Sequence, residues 1–371
     1  MRTTEIKKRA PFRGDHVGSF LRPARLKQAR SRFANGEVTA DELRAVEDEE
    51  IIKLIEKQKE IGLKSITDGE FRRSWWHFDF LEGLTGVEGY DPDSGLHFVG
   101  IEARNRSIRV TDKVDFNDDH PMLEHFRFLK EHVGPDHVAK MTIPSPNMLL
   151  LRGSIDSNAY TNIEALLPDL TNAYKQAIQA FYDLGCRYLQ LDDTSWSSYL
   201  SEKGRAAIRE QGYTPEEMQK IAARAINESI AERPDDLLIT MHICRGNYRS
   251  HYFAEGSYDT ASKTIFGELN VDGLFLEFDD ERSGGFEPLQ YVNRDDLYVV
   301  LGLITTKFGE IEDKDLIKKR IEEASNYLSL NQLCLSPQCG FASTEEGNDI
   351  SEEDQWKKIS RVLEIAEEVW K

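Results

Sequence analysis

Short apolar runs bounded by polar turn residues recur at 15–20, 64–67, 139–143, 188–191, 237–241, 273–276, 298–303 and 332–335. Runs of this length suit parallel strands covered on both faces rather than helices. Between them the hydrophobic period lengthens to that of a helix. Thr39-Ala-Asp-Glu42 has the order of a capping box and opens an amphipathic helix to about residue 62. Thr214-Pro215-Glu216-Glu217 places an N-cap, a first-turn proline and a capping glutamate in sequence. Further helices read at 163–184, 314–328 and 352–370. Eight strands alternating with helices predict an α/β fold, a (β/α)8 TIM barrel. A doubly wound sheet is the alternative, but no glycine-rich dinucleotide turn follows the first run. Residues 75–135 interrupt the alternation. They are rich in Trp, Phe, Gly and Asp, alternate around 107–114, and read as an inserted β-hairpin with loops above the barrel mouth. With no internal repeat and no low-complexity linker, residues 1–371 read as a single domain.

Composition narrows the partners. The chain is 39% hydrophobic, enough for a substantial core. Against 47 basic residues stand 66 acidic ones, a net charge of −19, which opposes binding to nucleic acid or an anionic membrane. The acidic residues are scattered, as on a solvated surface. The basic start, MRTTEIKKRAPFRGD, has no apolar core behind it and is not a signal peptide. The longest apolar run, 297–304, is too short to span a bilayer. Four cysteines in 371 residues do not make a disulfide framework, so a reducing, cytoplasmic setting with free or metal-bound thiols is expected. A homo-oligomer stays open.

In a barrel the reactive side chains come from the C-terminal ends of the strands. After the expected strands stand Val17-Gly18-Ser19, Asp68-Gly69-Glu70, Asp192-Asp193, His242-Ile243-Cys244, Glu277, Thr305-Thr306-Lys307 and Gln338-Cys339-Gly340. His242 and Cys244, two apart, leave extended chain on one face. One imidazole, two thiolates and a carboxylate make a tetrahedral zinc set, and the sulfurs disfavour magnesium or calcium. Structural zinc sites use close Cys pairs, whereas these ligands run from 242 to 339, a spacing that suits a catalytic Zn2+. Such a centre deprotonates a bound thiol at neutral pH. Two thiolates and a carboxylate outweigh the charge of the metal, so a substrate sulfur stays nucleophilic. Alkyl transfer to sulfur therefore fits better than water activation, although a zinc lyase or hydrolase on the same barrel is the rival.

HVGSF at 16–20, DGEFRR at 68–73, LQLDD at 189–193, HIC at 242–244, FLEFD at 275–279 and SPQCG at 336–340 occur in this order at strand ends. With them the chain resembles the C-terminal catalytic barrel of cobalamin-independent methionine synthase, and more closely its single-barrel relatives, over nearly its whole length. The resemblance implies that His242, Cys244, Glu277 and Cys339 hold zinc. It implies that Ser19, with the backbone at Val17–Gly18, binds the carboxylate of homocysteine, and that Glu70 and Asp192 bind its ammonium group. The expected reaction is methyl transfer to the thiol of homocysteine, forming methionine. Methyltetrahydrofolate is the leading donor, with a corrinoid protein or another small methyl donor as the alternative. Three features depart from the family. The second, N-terminal barrel that helps hold a polyglutamylated folate has no counterpart. Lys307 stands where the family has the histidine that protonates the leaving nitrogen, and could replace it only with a depressed pKa. No Asn-Trp follows Thr142-Ile143-Pro144-Ser145. Phe71, Trp75, Trp76, His77 and Phe78 read as packing under the insertion or as the floor of a flat-ligand pocket. His16 and Asn247 read as supports for the metal ligands.

Overall fold

A computed structural model describes residues 10–371. The reading of the N-terminal segment falls largely on residues 1–9, outside the described residues. In chain order the strands are β1 (Ser65–Ile66), β2 (Thr85–Tyr90), β3 (His97–Phe98), β4 (Ile101–Glu102), β5 (Ser107–Asp115), β6 (Val138–Pro144), β7 (Ser154–Ile155), β8 (Tyr188–Asp193), β9 (Leu238–Ile243), β10 (Gly273–Phe275), β11 (Tyr298–Ile304) and β12 (Leu333–Pro337). Seven of them form a curled, wholly parallel sheet in the order β1-β6-β8-β9-β10-β11-β12. Helices fill most of the gaps, so the fold is mixed α/β.

The register explains how apolar runs carry polar chemistry. β6, β8 and β9 are buried at every residue. Thr142 pairs with Gln190 and Gln190 with Thr240; one layer further on, Pro144 pairs with Asp192 and Asp192 with His242. Because side chains alternate, this polar series shares one face of the sheet. Met141, Ile143, Leu189, Leu191, Ile239 and Met241 take the other face and belong to the hydrophobic core. Asp192 and His242 thus reach the same level at the C-terminal edge of the sheet.

The capping boxes form as the sequence predicts. Thr39 and Glu42 exchange both bonds at the start of the helix Ala40–Ile61, which stops at Gly62 with φ 105°. Thr214 and Glu217 do the same for the helix Pro215–Ile230.

Residues 15–20, expected as the first strand, make no strand. The preceding residue, Gly14, bridges Leu335 of β12, and the Asp15 N–H donates to the Leu335 carbonyl at 3.0 Å. At the other end of the segment the Phe20 N–H donates to the Gly69 carbonyl, just beyond β1, at 3.1 Å. Its polar groups are held by side chains instead of a ladder. Asp15 accepts from the Ser65 hydroxyl at 2.6 Å and the Tyr188 hydroxyl at 2.9 Å, and the Gly18 carbonyl accepts from the Thr67 hydroxyl at 2.6 Å.

Between β1 and β6, β2 pairs antiparallel with β5 and β3 with β4, and β7, which follows β6 in the chain, joins β5 in parallel. The same stretch contains the helix Pro121–Val133, where strands and loops alone were expected. His120 caps it by accepting from the Met122 N–H, and Met122, Phe126, Leu129 and Val133 form its buried stripe. Among the described residues, no helix is long and apolar enough to cross a membrane.

Candidate metal centre and substrate cavity

His242 is the next-to-last residue of β9, and Cys244 follows the strand, held by the bond from its N–H to the Asp193 carbonyl at 2.9 Å. Glu277 stands two residues beyond β10, and Cys339 two beyond β12. One ligand atom from each of the four lies within 4.8 Å of all the others, and all four residues are buried. The two sulfurs are 3.7 Å apart. Both ring nitrogens of His242 and Glu277 Oε1 are buried without a hydrogen-bond partner among the described residues. Buried polar atoms are rarely left unpaired, so this cluster has the form of a cation site. Electrostatics agree. The Cys339 hydrogen bond, then burial, push the Cys244 thiol well up, burial moves Glu277 up to about 7, and burial lowers His242 to about 3. Two thiols and a carboxyl cannot all ionise in so small a space unless a positive charge joins them. The donor set fits Zn2+.

The backbone around the ligands is tied down. The Arg245 N–H donates to Glu277 Oε2 at 3.0 Å, the Glu277 N–H to the Tyr258 hydroxyl at 2.9 Å, and the Gly246 N–H to Cys244 Sγ at 3.2 Å. Asn247 donates to the Gly340 carbonyl at 3.1 Å, which fixes the turn after Cys339. His16 lies elsewhere, its Nε2 3.0 Å from the Ser65 carbonyl.

His242, Cys244 and Cys339 open into a cavity of about 380 Å3 whose wall also includes Val17, Ser19, Glu70 and Asp192. Glu70 sits at φ 62° after Gly69 at φ 66°, a left-handed pair that a glutamate rarely joins. The bond from its N–H to Asp68 Oδ1 at 2.9 Å and the grip of Arg22 Nη2 on its carbonyl at 2.7 Å hold that turn. The Glu70 carboxylate accepts from the Thr142 hydroxyl at 3.1 Å, while its Oε2 has no hydrogen bond among the described residues and lies 3.8 Å from Arg73. Asp192 accepts from Gln190 at 2.8 Å. Burial raises both carboxyls above the ordinary range, and the neighbouring Glu70 charge raises Asp192 further. Ser19 accepts from the Ala342 N–H at 3.2 Å, which leaves its own O–H free to donate. Gly18 is off the cavity wall; at φ 152° a Cβ would lie 2.7 Å from Thr142 Cγ2, so its part is conformational.

Lys307 is not on the wall. Its ammonium is buried against Asp279 at 2.9 Å; burial alone would lower its pKa, but Asp279 and Glu277 outweigh that and raise it. The depressed pKa that acid work requires is not what this environment produces. Of the aromatic cluster, Trp75, Trp76, His77 and Phe78 line the cavity, whereas Phe71 belongs to the core. Arg72 pairs with Glu47 and Asp48, away from the cavity. Sequence reasoning missed Arg22, Tyr258 and Arg152. The signal for Arg22 is weak, a lone arginine next to a proline. For Arg152 it is an arginine closing the apolar string Met148–Leu151.

A parallel α/β sheet with a His, two Cys and a Glu gathered as a candidate soft-metal site, and a cavity beside them at its C-terminal edge, defines a class: α/β proteins with a small-molecule site at the ends of their strands. The particular family follows from comparison. Residues 12–354 match the family described as cobalamin-independent synthase, catalytic domain, and the chain belongs to that family. Protein YxjG of Bacillus subtilis is 59% identical over 98% of this chain and 96% of its own length. The crystal structure of a putative vitamin-B12 independent methionine synthase from Listeria monocytogenes superposes with a TM-score of 0.81, at 51% identity, over 98% of this chain and 99% of that one. The fold alone is shared with a B12-independent methionine synthase of Shewanella sp. W3-18-1, at a TM-score of 0.71 and 16% identity over 96% of this chain and 97% of that one. The chemistry of the family is methyl transfer to homocysteine.

Proposed function

We propose that the protein is a zinc-dependent methyltransferase that forms methionine from homocysteine, with methyltetrahydrofolate as the leading donor. One observation carries the reading: four ligand atoms lie within 4.8 Å of one another, and three of the residues that bear them, His242, Cys244 and Cys339, line a cavity with Glu70, Asp192 and Ser19. A homocysteine molecule needs these groups together, a soft centre for its sulfur, anions for its ammonium, and a hydroxyl for its carboxylate. His242, Cys244, Glu277 and Cys339 would hold zinc, which when bound lowers the pKa of a ligated substrate thiol.

The chain's own residues bind and orient. Glu70 and Asp192 together attract the ammonium group and relieve their mutual repulsion in doing so. Ser19 donates its hydroxyl proton to the amino-acid carboxylate. Trp75, Trp76 and Phe78 restrict water on the donor side of the cavity. Lys307 neutralises Asp279 beside Glu277, a positioning role in place of the proton donation expected at that point of the chain. The same reading takes residues 13–20, lying between β12 and the end of β1, as the eighth stave of a closed (β/α)8 barrel in one domain. It takes 75–135 as an insertion over the mouth. Four buried, unbridged cysteines are in keeping with a reducing cytoplasm.

The test is to incubate purified, zinc-loaded protein with homocysteine and a panel of methyl donors, including methyltetrahydrofolate and a methylated corrinoid protein. Methionine is the expected product. Water-dependent cleavage with no thiol methylation from any donor would overturn the reading in favour of a lyase or hydrolase.

A further inference from the structure

One part of the cavity wall serves neither the metal ligands nor the amino-acid groups. Arg152 ends the short helix Asn147–Arg152 and lines the cavity. Its Nη2 makes two long hydrogen bonds, to the Thr194 carbonyl at 3.3 Å and the Ser197 hydroxyl at 3.4 Å. No ion pair among the described residues includes it. Asp193, whose charge acts on it, uses its oxygens on the Ser145 hydroxyl at 2.5 Å, the Asn147 amide at 3.1 Å and the Ser195 N–H at 2.6 Å. His77, 5% exposed, lines the same cavity with its Nδ1 buried and, among the described residues, unpartnered. Burial and the Arg152 charge lower its pKa to about 3, so it is a neutral ring with one N–H to give. Aromatic faces flank both groups: the Arg152 guanidinium lies 5.1 Å from the centre of the Phe253 ring, and His77 stands 3.9 Å from Phe78 between centroids.

A guanidinium keeps its charge even when desolvated, and a planar acid satisfies it best. Homocysteine does not supply that acid, because the arrangement proposed above already places its carboxylate at Ser19. We propose that Arg152 and His77 form an acid-recognising subsite that takes a carboxylate of the methyl donor, with Phe253 and Phe78 bounding the donor's flat ring. The inference rests on the proposed function in treating this side of the cavity as the donor side.

The test reads binding without turnover. The cavity tryptophans, Trp75 and Trp76, report on occupancy, so the whole protein is titrated with p-aminobenzoylglutamate and with its uncharged diamide while tryptophan fluorescence is followed. The acid is expected to bind at least tenfold more tightly than the diamide. Arg152→Gln is expected to abolish that preference, Arg152→Lys to keep part of it, and His77→Phe to reduce it about threefold. Circular dichroism and the melting temperature establish that each variant is folded, and the His77 variant serves if an Arg152 variant is not. The subsite is refuted if acid and diamide bind alike, if the acid gives no saturable response, or if folded variants keep the full preference. Since homocysteine is not in the assay, a failure of methyl transfer bears on the proposed function alone.

Discussion

At the scale of single residues, the site is a set of charges held where water cannot compensate them. Glu70 shows this most directly. Its left-handed backbone, the Asp68 bond and the Arg22 bond to its carbonyl serve one end, to stand a carboxylate in the cavity beside Asp192. On the proposed function, Glu70→Gln removes one of two charge-assisted contacts to the homocysteine ammonium, worth about 2–3 kcal/mol, and should raise the homocysteine KM roughly 30- to 150-fold with a smaller change in kcat. The pH dependence has a definite sign. Both carboxyls are raised, first by burial and, for Asp192, then by Glu70. As pH falls towards those raised values they take up protons, the ammonium loses its anions, and the KM rises. The rise therefore starts above the ordinary carboxylate range. In the Glu70→Gln variant Asp192 loses its like-charged neighbour, so the rise should move to lower pH. Steady-state kinetics across pH checks both points, and a KM independent of pH in both proteins would contradict them.

At the scale of elements, the geometry depends on how closely the strand ends approach. Gly302 of β11 lies between the turns that carry Glu277 and Cys339, two of the proposed metal ligands. A Cβ there would stand 2.0 Å from the Leu276 carbonyl and 2.6 Å from Gln338 Cα, each one residue from a ligand. Gly302→Ala must push these turns apart, at a cost of about 1–3 kcal/mol. The variant should melt several degrees lower and bind less zinc per chain; full zinc content with an unchanged melting temperature would contradict this. Much of this scale was legible beforehand. The runs over β6, β8, β9 and β11 and both capping boxes follow from local chemistry, and the residues after each strand follow from the direction of a parallel sheet. What was illegible depends on distant partners. Residues 15–20 read as a strand-length run bounded by turn residues, yet Asp15 is claimed by Ser65 and Tyr188, far along the chain. The helix Pro121–Val133 was hidden in a stretch whose flanks alternate like a hairpin. Lys307 falls at a strand end where chemistry is expected, but Asp279 turns its side chain away from the cavity.

For the molecule as a whole, separation along the chain is what makes the cluster informative. Ligands from β9, β10 and β12 meet only because the sheet curls and brings its C-terminal ends round one centre. Once filled, the site would brace the turns after three strands. That leaves the role of the metal as the claim on which the rest stands, and zinc-edge X-ray absorption with and without homocysteine measures it directly. The account predicts a zinc ion with two sulfur scatterers, from Cys244 and Cys339, that gains a third when homocysteine is added. A sulfur count unchanged by homocysteine, or no zinc in protein purified without chelator, would contradict it.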